Sequence, residues 1–233
     1  MKVGIMQPYL FPYIGYFQLI HAVDAFVIHE DVQYIKGGWT HRNRIQINDK
    51  EYLFTFSLKK DSSLKKINTR FFSDQFEKEK NHFLMVVKNN YKKAPFFSDA
   101  YNLLIKIFEY KNMNISSFTI HSQKLICNYL YIKTPFYISS QMKKNNRLKS
   151  QNRVLNICKL LKTKIYINPI GGQTLYSKEI FKKNKISLFF LQTKDMIYEY
   201  KKKPRLPNLS IIDVMMFNSV KDIKKMLNHY ELL

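Results

Sequence analysis

The first thirty residues leave little choice of topology. Lys2–Met6 is a short apolar run of the kind that forms a buried strand, and Gln7-Pro8-Tyr9 is loop, because proline removes a ladder donor. Residues 15–23 read as a helix with Phe17, Leu19, Ile20 and Val23 on its buried side, and residues 25–29 read as a second strand. Strand, loop, helix and strand in so short a span make a βαβ unit, and its two strands must run parallel.

The rest of the chain extends that unit. Residues 44–47 and 51–58, separated by Asn48-Asp49-Lys50, read as a β-hairpin. Residues 59–69 are polar and basic and read as loop. Residues 74–92, 99–111 and 115–131 carry three helical patterns, with Asp74, Asp99 and Ser116 or Ser117 as N-cap candidates. Strands at 134–139, 164–168 and 187–191 then alternate with helices at 151–161 and 177–184, and helices at 210–217 and 220–230 close the chain. This order predicts an α/β fold: a mainly parallel, Rossmann-like sheet of about five strands, with a β-hairpin and an inserted helical cluster at about 70–132. No Gly/Ser-rich or Pro-rich linker divides residues 1–233, so a single domain is expected.

A hydrophobic content of 45% with 16 Tyr and 18 Phe excludes a mainly disordered chain. The 39 Lys and Arg against 17 Asp and Glu give +22, a field that attracts phosphates, nucleotides, nucleic acid or anionic lipid. Scattered lysines such as Lys143-Lys144, Lys182-Lys183 and Lys201-Lys202-Lys203 equally fit compositional drift toward Lys, Asn and Ile. Cys127 and Cys158 lie in apolar helical patterns without a partner at metal spacing; buried, reduced thiols and a cytoplasmic location are expected. The N-terminus, broken by two prolines, does not read as a signal peptide, and no integral membrane segment approaching about 18 apolar residues is visible. No metal site is expected either, because His21, His82, His121 and His229 have no second ligand at helical spacing.

Ligands of open α/β sheets bind outside the carboxyl ends of the strands. That rule brings Gln7, Tyr9 and Gly15 into a crevice, Gly15 because it permits close backbone approach ahead of a helix. Residues 29–44, HEDVQYIKGGWTHRNR, pack two acids, two His, two Arg, a Lys and the lone Trp just after the second strand. Asp31 and His41 are the candidate catalytic acid–base groups. Arg42 and Arg44 can hold phosphate or carboxylate bidentately, and Trp39 or Tyr34 can stack on a base or sugar. Gln33, Lys36 and Asn43 complete the candidate binding set in this stretch, while His29, inside the strand, reads as a satisfied core or edge histidine. In the C-terminal half, Asp213 reads first as the capping-box partner of Ser210 and second as a ligand contact at the mouth of that helix. Arg205, between Pro204 and Pro207, is a candidate phosphate contact.

The run MQPYLFPYIGYFQLIHAVDAFVI followed by DVQYIKGGWTHRNRI resembles the opening of the WbqC-like family. Asn168–Gly172, Tyr176, Phe181 and residues 209–213 (LSIID) extend the resemblance toward the C-terminus, which is loose across 60–165. Glu30 stands where that pattern usually has Asp, and Ser219 where a Gly often follows Phe-Asn. The resemblance adds Asn168, Gly172 and Tyr176 to the candidate substrate-binding residues. It implies a role in bacterial surface polysaccharide (O-antigen type) biosynthesis, including transfer of an acyl or amino-acyl group to the amine of a nucleotide-linked amino-sugar. Neither a P-loop nor a nucleophile elbow is present, and no cofactor is assigned. The donor stays open among acyl-CoA, an aminoacyl adenylate and aminoacyl-tRNA, so tRNA is a candidate partner beside a nucleotide-sugar or other phosphorylated small molecule. The competing expectations are a non-catalytic nucleotide-sugar-binding or RNA-binding protein, and a degenerate nucleotidylyltransferase-like enzyme. The last rests on a similar strand–loop–helix opening, but Pro12-Tyr13-Ile14-Gly15-Tyr16 lacks the paired histidines.

Overall fold

The computed structural model describes residues 1–62, 64–194, 198–200 and 203–233; Lys201 and Lys202 of the basic run lie outside them. The expected βαβ unit forms as β1 (Lys2–Met6), α1 (Ile14–Ala22) and β2 (Ala25–Ile28). β1 and β2 pair in parallel with Val3 opposite Ala25 and Met6 opposite Ile28. The sheet grows on one side with β5 (Phe136–Ile138) and on the other with β6 (Ile165–Pro169) and β7 (Ser187–Thr193), all parallel. These are the five parallel strands the alternation predicts. β8 (Glu199–Tyr200) and β9 (Lys203–Pro204) form a separate two-stranded ribbon, and a sixth strand of the main sheet, β10 (Tyr230–Leu232), joins antiparallel to β7, so the strand order is β10-β7-β6-β1-β2-β5. The last helical pattern therefore stops early: α8 (Val220–Met226) ends at Met226, and Tyr230, read as helical from its apolar spacing, begins an edge strand.

Successive strand residues face opposite sides of the sheet, and the two faces carry separate cores. Val3, Ile5, Ala25 and Val27 pack against α5 (Ser150–Leu160) and the Phe181 region of α6 (Lys178–Lys183). Phe26 and Ile28 face a larger core built from α1, α2 (Phe76–Tyr91), α3 (Phe97–Phe108), α4 (Ile115–Tyr129) and α7 (Ile211–Phe217). Cys127 and Cys158 are free, buried in different cores on opposite faces, and burial pushes each thiol up to about 12. Among the described residues no helix is long and apolar enough to cross a membrane.

The hairpin pairs β3 (Arg42–Ile47) with β4 (Lys50–Thr55). Asn48 and Asp49 both take positive φ (49° and 62°), which is the requirement of a tight two-residue hairpin turn. Its inner residues, Ile45, Phe54 and then Phe56, join a ring cluster with Phe83, Phe76, Phe72, Phe108 and Phe118 that roots the three-helix insertion. The insertion's caps differ from the expected ones. Asp74 lies ahead of α2 and pairs with Lys59 (3.4 Å), Asp99 sits within the first turn of α3, and α4 is capped by Asn114, whose Oδ1 accepts from Ser117 N (3.1 Å). Ser210 does cap α7, but the reciprocal Ser–Asp pairing expected there occurs one helix later: Ser219 accepts from Asp222 N (3.1 Å) and donates to its carboxylate (2.6 Å).

Candidate functional site

Because β1 and β2 are parallel neighbours, the loops after Met6 and Ile28 emerge at the same end of the sheet, as does the loop after β5. The loop after β2 delivers Asp31 into a charged cluster. Its side chain is 4% exposed, and Oδ2 lies 2.6 Å from Lys144 Nζ and 4.0 Å from Arg153 Nη1. Lys144, itself 1% exposed along its side chain, also donates to the Ser139 carbonyl at the end of β5. Arg153, in the first turn of α5, binds the carbonyls of Asp31 (3.3 Å), Leu148 (3.0 Å) and Asn146 (3.0 Å), and so ties the basic loop 143–149 to β2. Burial alone would raise the Asp31 pKa, but the Lys144 ammonium beside it outweighs that and holds the carboxyl below its usual range.

His29 completes the cluster. Its Nε2 is 4.0 Å from Asp31 Oδ1, and neither atom has a hydrogen-bond partner among the described residues. Burial, reinforced by Arg153 and Lys144 and opposed by Asp31, pushes the imidazole down to about 4, so it is neutral across the physiological range. The expectation of a satisfied core histidine is thus corrected: the ring is half-buried, but its inner nitrogen is unbonded.

The second catalytic candidate is placed differently. His41 Nδ1 bonds the Phe56 carbonyl (2.8 Å) and Nε2 bonds Tyr34 OH (2.8 Å). Since Nδ1 must donate to the carbonyl, the neutral ring accepts from the tyrosine and has no nitrogen left for substrate. Burial lowers its pKa and favours that neutral form. With Arg70 over the Tyr34 ring (4.7 Å), His41 acts as a clip joining the β2 loop to the hairpin.

The remaining residues of the 29–44 stretch divide by face. Arg42 and Arg44, two apart on β3, both reach the half-exposed Trp39, with guanidinium carbons 5.4 and 5.9 Å from its ring centre. Arg42 also binds the carbonyl of Gly37, whose φ of 77° suits glycine alone, and Arg44 pairs with Glu51 (2.6 Å). Lys36 and Gln33 are exposed on the same loop, Gln33 bridging to Lys66. Asn43 points inward and is buried: its amide donates to the carbonyls of Leu10 (2.9 Å) and Phe11 (2.8 Å). Ser210 Oγ donates to the same Phe11 carbonyl (2.7 Å). Phe11 has φ 43°, a conformation costly for a bulky side chain, and these bonds hold it there. Asn43 is thus a fastener of the first crevice loop, placed away from the crevice itself.

The strand order reverses between β1 and β6, where Gln7, Tyr9 and Gly15 approach Asn168, Gly172 and Tyr176 in the topology. The Gln7 carbonyl accepts from Tyr16 OH (2.9 Å). Tyr9 is half-buried against Tyr16, and its carbonyl accepts from Gln123 (3.0 Å). Gly15 serves packing: a Cβ there would overlap the Tyr13 ring and meet Thr193 Oγ1 at 2.6 Å, so the close approach expected of a ligand is made by neighbouring side chains. Asn168 is buried, donating to the Pro169 carbonyl (3.0 Å) and accepting from Tyr166 OH (2.9 Å), and a Cβ at Gly172 would overlap its amide. Tyr176 packs edge-on against Tyr166 and Phe181.

Asp213 is fully buried and faces no cleft. Its carboxylate accepts from both sides of the Arg205 guanidinium, from Tyr91 and Tyr198 hydroxyls, and from Gln46 N (3.4 Å). Asp213 and Arg205 therefore lock α7 to the hairpin and α2, which corrects the ligand and phosphate roles read from the sequence.

Sequence reasoning did not assign Lys144, Arg153 or His29 to the site. Lys144 and Arg153 lie more than a hundred residues from Asp31 in sequence, and the parallel β2–β5 pairing brings them beside it. The one signal available was the density of cations at 143–153 immediately before a helix.

No solved structure matches the chain. The uncharacterized protein Rv1507c of Mycobacterium tuberculosis (strain ATCC 25618 / H37Rv) is 26% identical over 181 residues, covering 77% of each chain. The sequence profile of the WbqC-like protein family matches residues 7–225, which span the β2-end cluster, the hairpin and both halves of the sheet. The chain belongs to the WbqC-like protein family.

Proposed function

We propose that the protein is a cytoplasmic enzyme of bacterial surface polysaccharide biosynthesis that transfers an acyl or amino-acyl group to the amine of a nucleotide-linked amino-sugar. The observation that carries this reading is the unpaired couple of His29 Nε2 and Asp31 Oδ1, 4.0 Å apart at the carboxyl end of β2. With the imidazole proton on Nδ1, these atoms are two acceptors spaced for one primary amine to donate to both. The amine nitrogen attacks the acyl carbon, the bond to the donor's leaving group breaks, and His29 takes the proton released from nitrogen. Asp31, kept ionised by Lys144, orients the amine and stabilises the imidazolium. Exposed Trp39 between two guanidiniums supports a seat for the nucleotide half.

The test incubates the protein with nucleotide-linked amino-sugars and, separately, acyl-CoA, an aminoacyl adenylate and aminoacyl-tRNA, and follows product mass. A new amide whose formation is lost in His29→Gln, with unfolding unchanged at pH 7.5, supports the reading. Absence of any amide, or parental turnover in His29→Gln, overturns it.

A non-catalytic nucleotide-sugar-binding or RNA-binding role is the second reading, favoured by the same Trp39–Arg42–Arg44 surface and the +22 charge. RNA binding through that surface would weaken steeply with salt, whereas binding governed by the buried His29–Asp31 couple would not.

A further inference from the structure

On the other face of the same sheet end lies an open cleft of about 490 Å³, within the range of small-molecule pockets. Glu30, Asn68, Ser116, Tyr110, His121 and Lys124 line it. Glu30 is 2% exposed. One of its carboxylate oxygens accepts from Ser140 N (3.1 Å) and lies 3.5 Å from the Asn68 amide. The other, Oε2, has no hydrogen-bond partner among the described residues, and the same holds for Asn68 Oδ1 and Ser116 Oγ. Buried polar atoms left unpaired are rare in folded proteins, and three lining one cleft call for a ligand that supplies donors.

We infer that this cleft binds a neutral, polyhydroxylated ring of the hexose class. Two of the three unpaired atoms, Glu30 Oε2 and Asn68 Oδ1, are acceptors and Ser116 Oγ can accept, so the ligand must donate repeatedly, as adjacent sugar hydroxyls do. The Glu30 carboxylate is accompanied by Lys124 and His121, so the lining carries no excess charge that would select an anion or a strong cation. Tyr110 and His121 stack on each other (centres 4.2 Å apart, planes 9° apart), and they give the wall a flat aromatic slab on which the C–H face of a sugar ring can lie. The cleft is separate from the His29–Asp31 couple: Glu30 turns toward α4 and Asp31 toward α5, so either assignment can fail without the other.

The experiment is saturation-transfer NMR on the full chain with free glucose, N-acetylglucosamine and glucosamine, with glycine and spermidine as amine controls and inorganic phosphate in competition. Saturation of sugar ring protons that persists in phosphate, falls at least fivefold in Glu30→Gln and Ser116→Ala, and is retained in His29→Gln is the expected result. Ile120→Trp, on the cleft wall, fills the space without touching the unpaired atoms and is expected to abolish the signal while the thermal midpoint holds; this keeps the test valid if Glu30→Gln fails to fold. Absence of sugar saturation in the parent protein, equal saturation in Ile120→Trp, or stronger binding of the amines than of the neutral sugars overturns the inference.

Discussion

The Asp31–Lys144 pair predicts a large and specific stability change. The charges are 2.6 Å apart on side chains 4% and 1% exposed, so neither has bulk water to fall back on. Removing one partner of such a pair strands the other, at about 3–5 kcal/mol. In Asp31→Asn the Lys144 ammonium keeps its bond to the Ser139 carbonyl but loses its counter-charge, with Arg153 still nearby. At roughly 2–4 °C per kcal/mol for a chain of this size, the thermal midpoint should fall by about 10 °C. Lys144→Met should produce a loss of the same order. The Asp31→Asn, Lys144→Met double variant removes both charges and should recover most of the loss, a coupling of roughly 2 kcal/mol or more in a double-mutant cycle. Differential scanning calorimetry at pH 7.5 reads all four proteins. A shift in Asp31→Asn below about 2 °C, or strictly additive losses in the double variant, would refute the reasoning and leave Asp31 as a cleft-edge group of little structural consequence.

Three further outcomes follow from the same geometry. The His29 pKa of about 4 lies below its unfolded value near 6.5, so the unfolded chain binds more protons between those limits and stability should drop as pH falls from about 6.5 to 4; the lowered Asp31 pKa acts in the same direction at still lower pH. Calorimetry of His29→Gln should show the upper part of that slope flattened, and an unchanged slope would assign it elsewhere. Asp213→Ala leaves the buried Arg205 without its counter-charge and removes the acceptor of the Tyr198 hydroxyl, while Tyr91 and Arg205 keep the Gln46 carbonyl; it should cost about 3–5 kcal/mol, seen as a lower urea midpoint; a loss under 1 kcal/mol would contradict the locking role. Gly172→Ala must displace the Asn168 amide and should destabilise by about 1–3 kcal/mol in the same urea titration, against no change if the turn simply shifts.

The fold was legible because hydrophobic period reports burial, and β1, β2, β6 and β7 are buried runs bounded by turn residues. Tyr230–Leu232 escaped because a three-residue edge strand following an amphipathic helix has no period of its own. The candidate site was legible in part. Density of polar residues marked 29–44 correctly as the stretch leaving the crevice end of β2, but density does not say which way each side chain turns. Arg42 and Arg44 reach the Trp39 surface, while Asn43 between them turns inward to bind the carbonyl of a strained Phe11. His41 looked like an acid–base group because nothing local revealed that the Phe56 carbonyl and Tyr34 hydroxyl would take both of its nitrogens. Asp213 looked like a cap because its partner Arg205 stands eight residues away across an irregular segment.

The adjacent acids Glu30 and Asp31 bring out a distinction that charge counting hides. Both are nearly fully buried, and both leave one carboxylate oxygen unpaired. Their side chains leave the end of β2 in different directions and enter different surroundings. Asp31 meets two cations supplied by the β5–α5 connection and a neutral imidazole, an environment that fixes its charge. Glu30 meets a backbone N–H, an amide and a serine-lined helix start, an environment of hydrogen bonding with little net field. Ser139 and Ser140 at the end of β5 repeat the division, the carbonyl of the first binding Lys144 and the amide of the second binding Glu30. The β2–β5 edge therefore carries a buried ionic cluster on one face and an acceptor-rich cleft on the other. Shortening Glu30 to Asp would withdraw the unpaired oxygen by one methylene and leave the Asp31 side untouched, which makes Glu30→Asp the substitution best able to separate the two in function.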